Sequence, residues 1–349
     1  MSRKRLNVSL LSLFIPLCAF AQSASLTWST TAYTDGRHNA FTDLVYWKDA
    51  YYLCFRHAES HMSMDGEIRV MTSTDLSTWI PCGTLNTLGD DRDPHFTVTP
   101  DALYVYFGVW DLAHQPDAKA PDRGSVRSHF ASTTDGANWS PVKGVYQPGF
   151  WLWRVRYHDG AFYSPAYTAV RPKPDLRETR LLRSDDGIHW TQLATVTQAR
   201  MSGEADLLWR PDGEVWLFTR TNDKPGDSMW YKSDADMRAW RGAATGVLVH
   251  SPVFAEWGER IFVSGRGRTN NKSNTAIWEI DGNKLHPLIT LPSGGDTSYP
   301  GLIPDPAAAT DGPATLLVSW YSQHENTDPK SHTANIYVGR VTVSERTQP

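Results

Sequence analysis

The sequence contains little cysteine and none of the common metal-binding motifs. Only 3 of its 349 residues are cysteines, and two of them, Cys54 and Cys82, lie beyond the N-terminal segment. Their separation carries no metal signature, and a disulfide between them stays open because free cysteine is also often buried. The chain has no HExxH motif, no paired CxxC and no EF-hand loop. We therefore expect no metal and no cofactor, with calcium held by clustered carboxylates left open.

The sequence also lacks an excess of either charge and a hydrophobic run long enough to cross a bilayer. Its 34 basic and 38 acidic residues give a formal net charge of −4, which provides no electrostatic reason to bind nucleic acid or an anionic membrane. The apolar run Leu6–Cys18 is shorter than the roughly 20 residues of a membrane-spanning helix. It follows the basic segment Ser2–Arg5 and precedes Ala19–Ala21, a small-x-small cleavage signal. This pattern predicts a signal peptide over residues 1–21 and a secreted or periplasmic protein with no stable membrane insertion.

Tryptophan is abundant, and four of the 15 tryptophans belong to a repeated motif. An Asp preceded by Ser or Thr is followed four residues later by Trp at Asp75–Trp79, Asp135–Trp139 and Asp186–Trp190, and in a weaker copy at Asp236–Trp240. Each copy follows runs of β-forming residues, and convincing helical periodicity is absent. A repeat of about 50 residues built from short strands is typical of a β-propeller. We expect Asp and Ser to bind amides in a turn between outer strands, and Trp to fill the space between blades.

The repeat predicts an all-β fold, a six-bladed β-propeller that forms a single domain over residues 22–349. The predicted blades are 41–84, 93–146, 149–196, 202–246, 250–290 and 297–342. The segment Leu26–Trp28 precedes the first blade. We expect it to close the ring against the last blade.

Propeller topology also predicts where a functional site lies. The starts of the first strands and the ends of the second strands meet around one opening of the central channel. First-strand starts carry Asp43, Asp93, His95, Arg154, Glu204 and Tyr299, and second-strand ends carry Arg56, Arg220, Arg266 and Glu325. Several guanidinium groups around one cavity favour an anionic ligand, such as a carboxylated sugar, through bidentate hydrogen bonds. Trp110, Trp151 and Trp153 are expected near the opening, where aromatic faces stack on sugar rings.

Some of these residues also have a structural interpretation. Arg154, Arg156 and Arg268 can be ion-paired within the channel to Asp206 or Asp296, because ion-pair networks also line propeller channels. Asp93 precedes a proline, and such an Asp is often a turn former. These alternatives stay open at the level of the sequence.

Several motifs resemble those of sialidases. STDLSTW, TTDGANW and SDDGIHW are similar to the Asp-boxes of sialidases and related BNR-repeat proteins, whose six-bladed propeller has its active site at the central channel. EADLLWRPDGEVWLFTR resembles the segment with the family's helper Glu and one Arg of its carboxylate-binding triad, which implies these roles for Glu204 and Arg220. SYPGL followed by LLVSWYSQHE resembles the nucleophile segment, which implies that Tyr299 is the nucleophile. SGRGR implies that Arg266 is another Arg of the triad.

The first blade both extends the resemblance and departs from it. The family's acid/base residue lies here, so Asp65 in MSMDGEIRV is the nearest match, with Glu59 and His61 as neighbours that can substitute. Family members begin this blade with a Phe-Arg-Ile-Pro type motif whose Arg is the first of the triad. The equivalent stretch, HNAFTD, has no Arg and adds the carboxylate of Asp43. Arg56 is the candidate to replace that Arg.

The leading interpretation is a glycoside hydrolase of sialidase-like fold that removes a terminal, acidic sugar from a glycan. Alternatives are a polysaccharide lyase that cleaves uronate glycans by His/Tyr β-elimination, inverting hydrolysis of neutral pentoses by Asp43, Asp93 and Glu204, and glycan binding without catalysis. The residues expected in catalysis are Tyr299, Glu204, Asp65, Asp43 and His61, and those expected to bind substrate are Arg56, Arg220, Arg266, Asp93, His95, Arg154 and Glu325. We expect a glycan or oligosaccharide as partner, no nucleic acid, and a monomer.

Overall fold

A computed structural model describes residues 23–110, 126–169, 177–198, 203–221, 228–328 and 330–345. The predicted signal peptide, residues 1–21, lies outside these described residues and stays a prediction. The described part of the chain is built of β-strands and contains no helix that is long and apolar enough to span a bilayer. Cys54 and Cys82 are both free thiols, which answers the question of a disulfide between them.

The strands fall into six sheets. The chain begins with β1 (Ala24–Tyr33). Blade 1 contains β2 (His38–Trp47), β3 (Ala50–Ala58), β4 (Glu67–Ser73) and β5 (Ile80–Leu85). Blade 2 contains β6 (Asp90–Val98), β7 (Leu103–Trp110), β8 (Val126–Thr133) and β9 (Lys143–Val145). Blade 3 contains β10 (Phe150–Leu152), β11 (Arg156–His158), β12 (Ala161–Thr168), β13 (Thr179–Ser184) and β14 (Thr191–Thr197). Blade 4 contains β15 (Ala205–Trp209), β16 (Val215–Thr219), β17 (Met229–Ser233) and β18 (Arg241–Ala244). Blade 5 contains β19 (His250–Trp257), β20 (Arg260–Thr269), β21 (Lys272–Asp281) and β22 (Lys284–Leu291). Blade 6 contains β23 (Thr297–Pro304), β24 (Ala314–Ser322) and β25 (Asn335–Val343).

Each sheet is an antiparallel meander, which confirms the predicted six-bladed propeller to within a few residues per blade. In blade 3 the first strand is interrupted, and its two parts, β10 and β11, both pair with β12. The first strands of neighbouring blades contact one another around the ring, so that β2 touches both β6 and β23. The central channel is therefore lined by the first strands.

The N-terminal strand closes the ring. β1 pairs antiparallel with β25, and Leu26 lies opposite Val341. The sheet order β1-β25-β24-β23 makes β1 the outer strand of blade 6. It covers the edge that β25 would otherwise expose. The expected position of Leu26–Trp28 is therefore confirmed.

The repeated motif forms a compact turn between the third and fourth strands of a blade. In blade 1, Oδ1 of Asp75 accepts the backbone amides of Ser77 and Thr78 at 2.8 and 2.7 Å. In blade 2, the indole of Trp139 donates to the carbonyl oxygen of Cys82 in blade 1 at 3.1 Å. The turn is thus held by local hydrogen bonds. The indoles of Trp79, Trp190 and Trp240 donate within their own turns, and that of Trp139 joins neighbouring blades.

Candidate active site

A cavity of about 180 Å³ lies where first-strand starts and second-strand ends meet. Its aromatic lining is Phe41, Trp110, Trp151, Trp153, Tyr167 and Tyr299, and its polar lining includes His61, Arg92, Asp93, Arg177, Glu204 and Arg220. The fold thus brings together five of the expected site residues, namely Tyr299, Glu204, His61, Asp93 and Arg220. The three tryptophans expected near the opening line the same cavity.

Four first strands break their pairing at the same place, and this break shapes the cavity. The register shifts lie between Ala40 and Asp43, Arg92 and His95, His250 and Val253, and Ser298 and Gly301. Within these breaks Phe41, Asp93, Ser251 and Tyr299 have positive φ angles between 47° and 59°. Three of the four precede a proline, which has no N–H to donate to the ladder. The resulting bulges carry Phe41, Asp93 and Tyr299 into the cavity wall.

Tyr299, Glu204 and Arg220 form one buried cluster at the cavity. The Tyr299 hydroxyl donates to Oε1 of Glu204 at 2.7 Å. Nη1 of Arg220 donates to the same Oε1 and lies 3.1 Å from the Tyr299 hydroxyl. The second carboxylate oxygen of Glu204 accepts the backbone amide of Ser251 at 2.8 Å. The fold therefore holds a phenol, a carboxylate and a guanidinium in mutual contact.

The electrostatics of this cluster fix the charge of each member. Burial would raise the pKa of Glu204, but the Arg220 guanidinium and the hydrogen bond from Tyr299 outweigh burial and leave this pKa below its usual value. Burial and the neighbouring Glu204 charge raise the pKa of Tyr299 well above its usual value. At neutral pH a carboxylate thus faces a neutral phenol. Glu204 is in place to accept the proton that Tyr299 would lose as a nucleophile.

Arg266 supports the cluster from the other side of Tyr299. Its guanidinium carbon lies 4.8 Å from the centre of the Tyr299 ring. Its Nε donates to the carbonyl oxygen of Thr297 at 2.8 Å, and its Nη2 donates to Asp296 and to Tyr321 at 3.2 and 2.9 Å. Two guanidinium groups, those of Arg220 and Arg266, therefore flank Tyr299, but only Arg220 lines the cavity. Arg266, which the resemblance gave as another Arg of the triad, is absent from the lining and binds Asp296 and Tyr321 instead.

Asp296 joins Arg266 to two histidines. Its Oδ2 lies 2.6 Å from Nδ1 of His61 and 3.0 Å from Nε2 of His38. Within the described residues these three side chains are the group that could hold a metal, since their ligand atoms lie within 4.8 Å of one another. The surroundings oppose a cation, because Arg266 binds the other oxygen of Asp296 and Arg92 lies 3.4 Å from Nε2 of His61. We therefore describe the group as a hydrogen-bonded cluster that orients His61 at the cavity.

Three expected site residues lie deeper in the channel, beyond the bulges. Arg154 donates to Oδ1 of Asp43 at 2.9 Å and to the carbonyl oxygens of Pro252 and Pro300 at 3.1 and 2.6 Å. His95 is 2% exposed and packs on Trp153, with 5.0 Å between ring centroids. None of Asp43, Arg154 and His95 lines the cavity. Arg154 is therefore part of a structural ion pair, as the structural interpretation expected, but its partner is Asp43 and not Asp206 or Asp296. Arg156 pairs with Asp206, as the same interpretation expected.

Arg56 and Glu325 are also absent from the cavity lining. Arg56 is fully buried, and it donates to Oδ1 of Asp90 at 2.7 Å and to the carbonyl oxygen of Ser60 at 2.8 Å. Its charge is neutralised within the fold, so it does not replace the missing Arg of the first blade. Glu325 accepts the hydroxyl of Tyr337 at 2.7 Å on the surface of blade 6.

Asp65 occupies the loop between β3 and β4 and does not reach the cavity lining. Its carboxylate pairs with Arg37 and accepts the hydroxyl of Ser63. Burial would raise its pKa, but these partners and the Glu59 amide together outweigh burial and lower the pKa below its usual value. An exposed carboxylate that stays ionised does not suit a proton donor, so the position of Asp65 argues against the acid/base role implied by the resemblance.

The structure adds residues that the sequence did not single out. Phe41 stands at the bulge of blade 1, in the stretch where the resemblance expects an Arg, and its ring lies edge-on 5.1 Å from that of Tyr299. The Arg92 guanidinium stacks on Phe41 and on Trp110 at 4.9 and 5.1 Å. The shared X-Pro step in three of the first strands was the available signal for the bulges. Arg92 directly precedes Asp93, the bulge residue of blade 2.

No protein-family model matches the sequence, and no curated protein matches it. Solved structures do. A Dyadobacter fermentans protein of unknown function superposes with a TM-score of 0.76 and 17% identity, over 92% of this chain and 100% of its own. The Trypanosoma rangeli sialidase bound to the inhibitor DANA superposes with a TM-score of 0.64 and 14% identity, over 87% of this chain and 55% of its own. The phage phi92 endosialidase superposes with a TM-score of 0.63 and 14% identity, over 92% of this chain and 70% of its own.

The chain has the six-bladed propeller fold of the sialidases. It spans 55% of the length of the trypanosomal sialidase. At these identities the likeness shows the fold alone, and the chemistry of this propeller has to be argued from its own side chains.

Proposed function

We propose that the protein is a secreted or periplasmic glycoside hydrolase that removes a terminal, acidic sugar from a glycan. The observation that carries this proposal is the 2.7 Å hydrogen bond from the Tyr299 hydroxyl to the ionised Glu204 at the cavity. A phenol is a weak nucleophile until an adjacent base takes its proton. Tyrosine nucleophiles are an established exception to the two-carboxylate rule of glycosidases.

The shape of the cavity supports action on a chain end. Arg154 ties blade 3 to blades 1, 5 and 6 beneath the cavity, through Asp43, Pro252 and Pro300. These contacts join four blades below the cavity, and the cavity itself is small. Its volume of about 180 Å³ is below the roughly 300–1,000 Å³ of pockets for drug-sized ligands. It suits one sugar ring inserted from a terminus, stacked on the tryptophan walls.

The charges support an acidic sugar. Arg92 and Arg220 both line the cavity, and the guanidinium of Arg266 lies 4.8 Å from the Tyr299 ring outside that lining. Guanidinium groups bind carboxylates through paired, charge-assisted hydrogen bonds. A neutral phenol as nucleophile fits the same picture, because it does not repel an anionic substrate as a carboxylate would.

In the proposed reaction the Tyr299 oxygen attacks the anomeric carbon while Glu204 accepts the phenol proton. The bond to the leaving oxygen breaks, and a glycosyl-tyrosine forms. The leaving oxygen takes up a proton as its bond breaks. Water then attacks the same carbon and gives up a proton, while the tyrosyl oxygen leaves and regains its own proton from Glu204. Two displacements at one carbon give net retention of configuration.

The test is turnover of a panel of 4-methylumbelliferyl glycosides that includes sialosides, uronides and neutral pentosides. We expect fluorescence release from an acidic member, a first product with retained configuration by NMR, and loss of at least about 1,000-fold in kcat for Tyr299→Phe. Tyr337→Phe makes the same chemical change outside the cavity and serves as the control. Unchanged turnover in Tyr299→Phe, an inverted product, or binding of acidic glycans without any product would overturn the proposal.

One observation favours β-elimination as the second candidate. Burial, Arg92 and His38 lower the pKa of His61 despite its hydrogen bond to Asp296. A neutral imidazole oriented by a carboxylate is a suitable base for a proton next to a uronate carboxylate that Arg92 neutralises. Elimination gives unsaturated products that absorb in the ultraviolet, whereas hydrolysis does not. Absorbance during digestion of uronate polymers therefore separates the two reactions.

A further inference from the structure

Asp93 and Tyr299 occupy equivalent positions in the ring. Each lies at the bulge of a first strand, with φ of 49° and 47°, and each precedes a proline. Their blades, 2 and 6, are the two neighbours of blade 1, whose own bulge residue is Phe41. Both side chains line the cavity. A carboxyl group and the proposed nucleophilic phenol thus face one small space from either side of Phe41.

Among the carboxyl groups of the described residues, that of Asp93 is the one with a buried oxygen that has no hydrogen-bond partner. Its Oδ1 is buried and has no hydrogen-bond partner among the described residues. Its Oδ2 lies 3.8 Å from Nε of Arg92, which is beyond hydrogen-bond distance. By contrast, Asp43 and Asp296 each accept close donors from more than one side chain or amide. A buried carboxyl without donors is costly as an anion, and it can offer its own proton to a ligand.

Its surroundings favour the neutral form near physiological pH. Burial raises the pKa of Asp93 to about 7, with the Glu204 and Asp90 charges adding to burial and the Arg92 and Arg56 charges opposing it. The titratable and charged groups that face it from all sides are Asp90, Arg92, Arg56, Glu204, Tyr167 and Tyr299. A group that exchanges its proton near pH 7 is matched to general acid and base catalysis.

We propose that Asp93 is the acid/base residue of the glycoside hydrolysis, a role that rests on the proposed function. In the first displacement Asp93 gives its proton to the leaving oxygen as the bond from that oxygen to the anomeric carbon breaks. In the second, the Asp93 carboxylate takes a proton from the water that attacks the glycosyl-tyrosine. One water is consumed, and Asp93 ends as it began.

Two other groups fit this role less well. Asp65 is exposed, paired with Arg37 and kept ionised. His61 points its Nδ1 at Asp296 and is neutral near pH 7, so it has no spare proton for a leaving group. Asp93 is the carboxyl of the described cavity lining whose Oδ1 has no hydrogen-bond partner and whose pKa, raised to about 7, allows it to hold a proton near neutral pH.

The decisive variant is Asp93→Asn, tested on two glycosides of the sugar that the panel identifies. A general acid matters for a poor leaving group and little for a good one. We expect kcat/KM to fall about 100- to 10,000-fold on the methyl glycoside, whose alkoxide is a poor leaving group, and less than about tenfold on the 2,4-dinitrophenyl glycoside. In the wild type, kcat/KM should fall at alkaline pH as Asp93 loses its proton, and this alkaline limb of the pH profile should disappear in the variant. Azide, which needs no general base, should accelerate turnover of the variant and yield a glycosyl azide.

The matched control is Asp91→Asn on the same strand. Burial also raises the pKa of Asp91 to about 7, but its carboxyl accepts the amide and hydroxyl of Thr87 and does not line the cavity. This variant should keep the alkaline limb. Equal losses on both glycosides in Asp93→Asn, or loss of the limb in Asp91→Asn, would overturn the assignment. If Asp93→Asn does not fold, the wild-type profile decides, because the alkaline limb should be present for the poor leaving group and weak for the good one.

The two proposals fail differently. If the wild-type protein hydrolyses no glycoside, or if Tyr299→Phe is fully active, the proposed function fails. If Tyr299→Phe is inactive on both glycosides while Asp93→Asn keeps its alkaline limb, only the role of Asp93 fails.

Discussion

The guanidinium of Arg154 lies 2.9 Å from the carboxylate of Asp43, inside the channel and below the candidate active site. The same guanidinium binds the carbonyl oxygens of two bulge prolines, Pro252 and Pro300. One side chain from blade 3 thus reaches blades 1, 5 and 6. This contact joins four blades at the centre of the ring, below the cavity, whose lining does not include Arg154.

The first prediction concerns this pair. Arg154→Met leaves the Asp43 charge buried without its partner, and breaking a buried ion pair in this way costs about 3–5 kcal/mol. We expect a correspondingly lower urea midpoint for Arg154→Met, with part of the loss recovered in the double variant Asp43→Asn/Arg154→Met. If Asp43→Asn instead keeps its urea midpoint and loses turnover, Asp43 has a chemical role and the structural interpretation fails.

Much of the fold was predictable because its signals are local. The Asp75, Asp135 and Asp186 turns recur in sequence, and each needs only the next few residues to form. The site was predictable to the level of which strand ends converge. The depth of each residue in the channel was not predictable. Asp43 and His95 follow the bulge residues Phe41 and Asp93 by two positions, and two residues advance a strand by about 7 Å. That step separates the cavity from the channel beneath it.

Partners across loops were also beyond the sequence. Arg56 was expected to bind substrate, but Asp90 of the next blade neutralises it. Asp65 was expected to donate a proton, but its carboxylate forms an ion pair with Arg37, which lies in the segment before β2. Both contacts join residues from different elements whose approach depends on the path of the loop between β3 and β4. Local patterns contain no information on that path.

The second prediction is the pH dependence of stability in Asp93→Asn. The pKa of Asp93 is raised by folding from its ordinary value near 4 to about 7, so the folded state binds this proton more tightly than the unfolded state. The stabilisation is complete below about pH 4 and is lost as the pH rises through 7, on the order of 2–4 kcal/mol. Asn does not titrate, so the variant should gain stability relative to wild type between pH 5 and 8. Asp65→Asn, at a carboxylate whose pKa is lowered, should show no such gain in urea unfolding.

The third prediction concerns the packing of Trp151 in the cavity wall. A Cβ added at Gly108 would overlap the Trp151 indole ring. Overpacking of this kind costs about 1–3 kcal/mol, so Gly108→Ala should lower the melting temperature and alter tryptophan fluorescence. At Gly312 the nearest atom to an added Cβ is the Ala309 carbonyl oxygen at 3.4 Å, so Gly312→Ala is the control. Equal melting temperatures in the two variants would mean that Trp151 can move without cost.

The last prediction concerns ring closure by the N-terminal strand. β1 supplies the outer strand of blade 6, and its Leu26 packs with the cluster that includes Leu302 and Trp320. A chain that begins at residue 36 loses these contacts and leaves the edge of β25 open to pairing with other molecules. Compared with a chain that begins at residue 23, we expect a lower melting temperature and aggregation at concentrations where the longer chain stays dispersed. Because the cavity residues Phe41 and Tyr299 lie on strands adjoining blade 6 or within it, turnover should fall in parallel with stability. A shortened chain that melts at the same temperature and elutes at the same size would show that the ring closes without this strand.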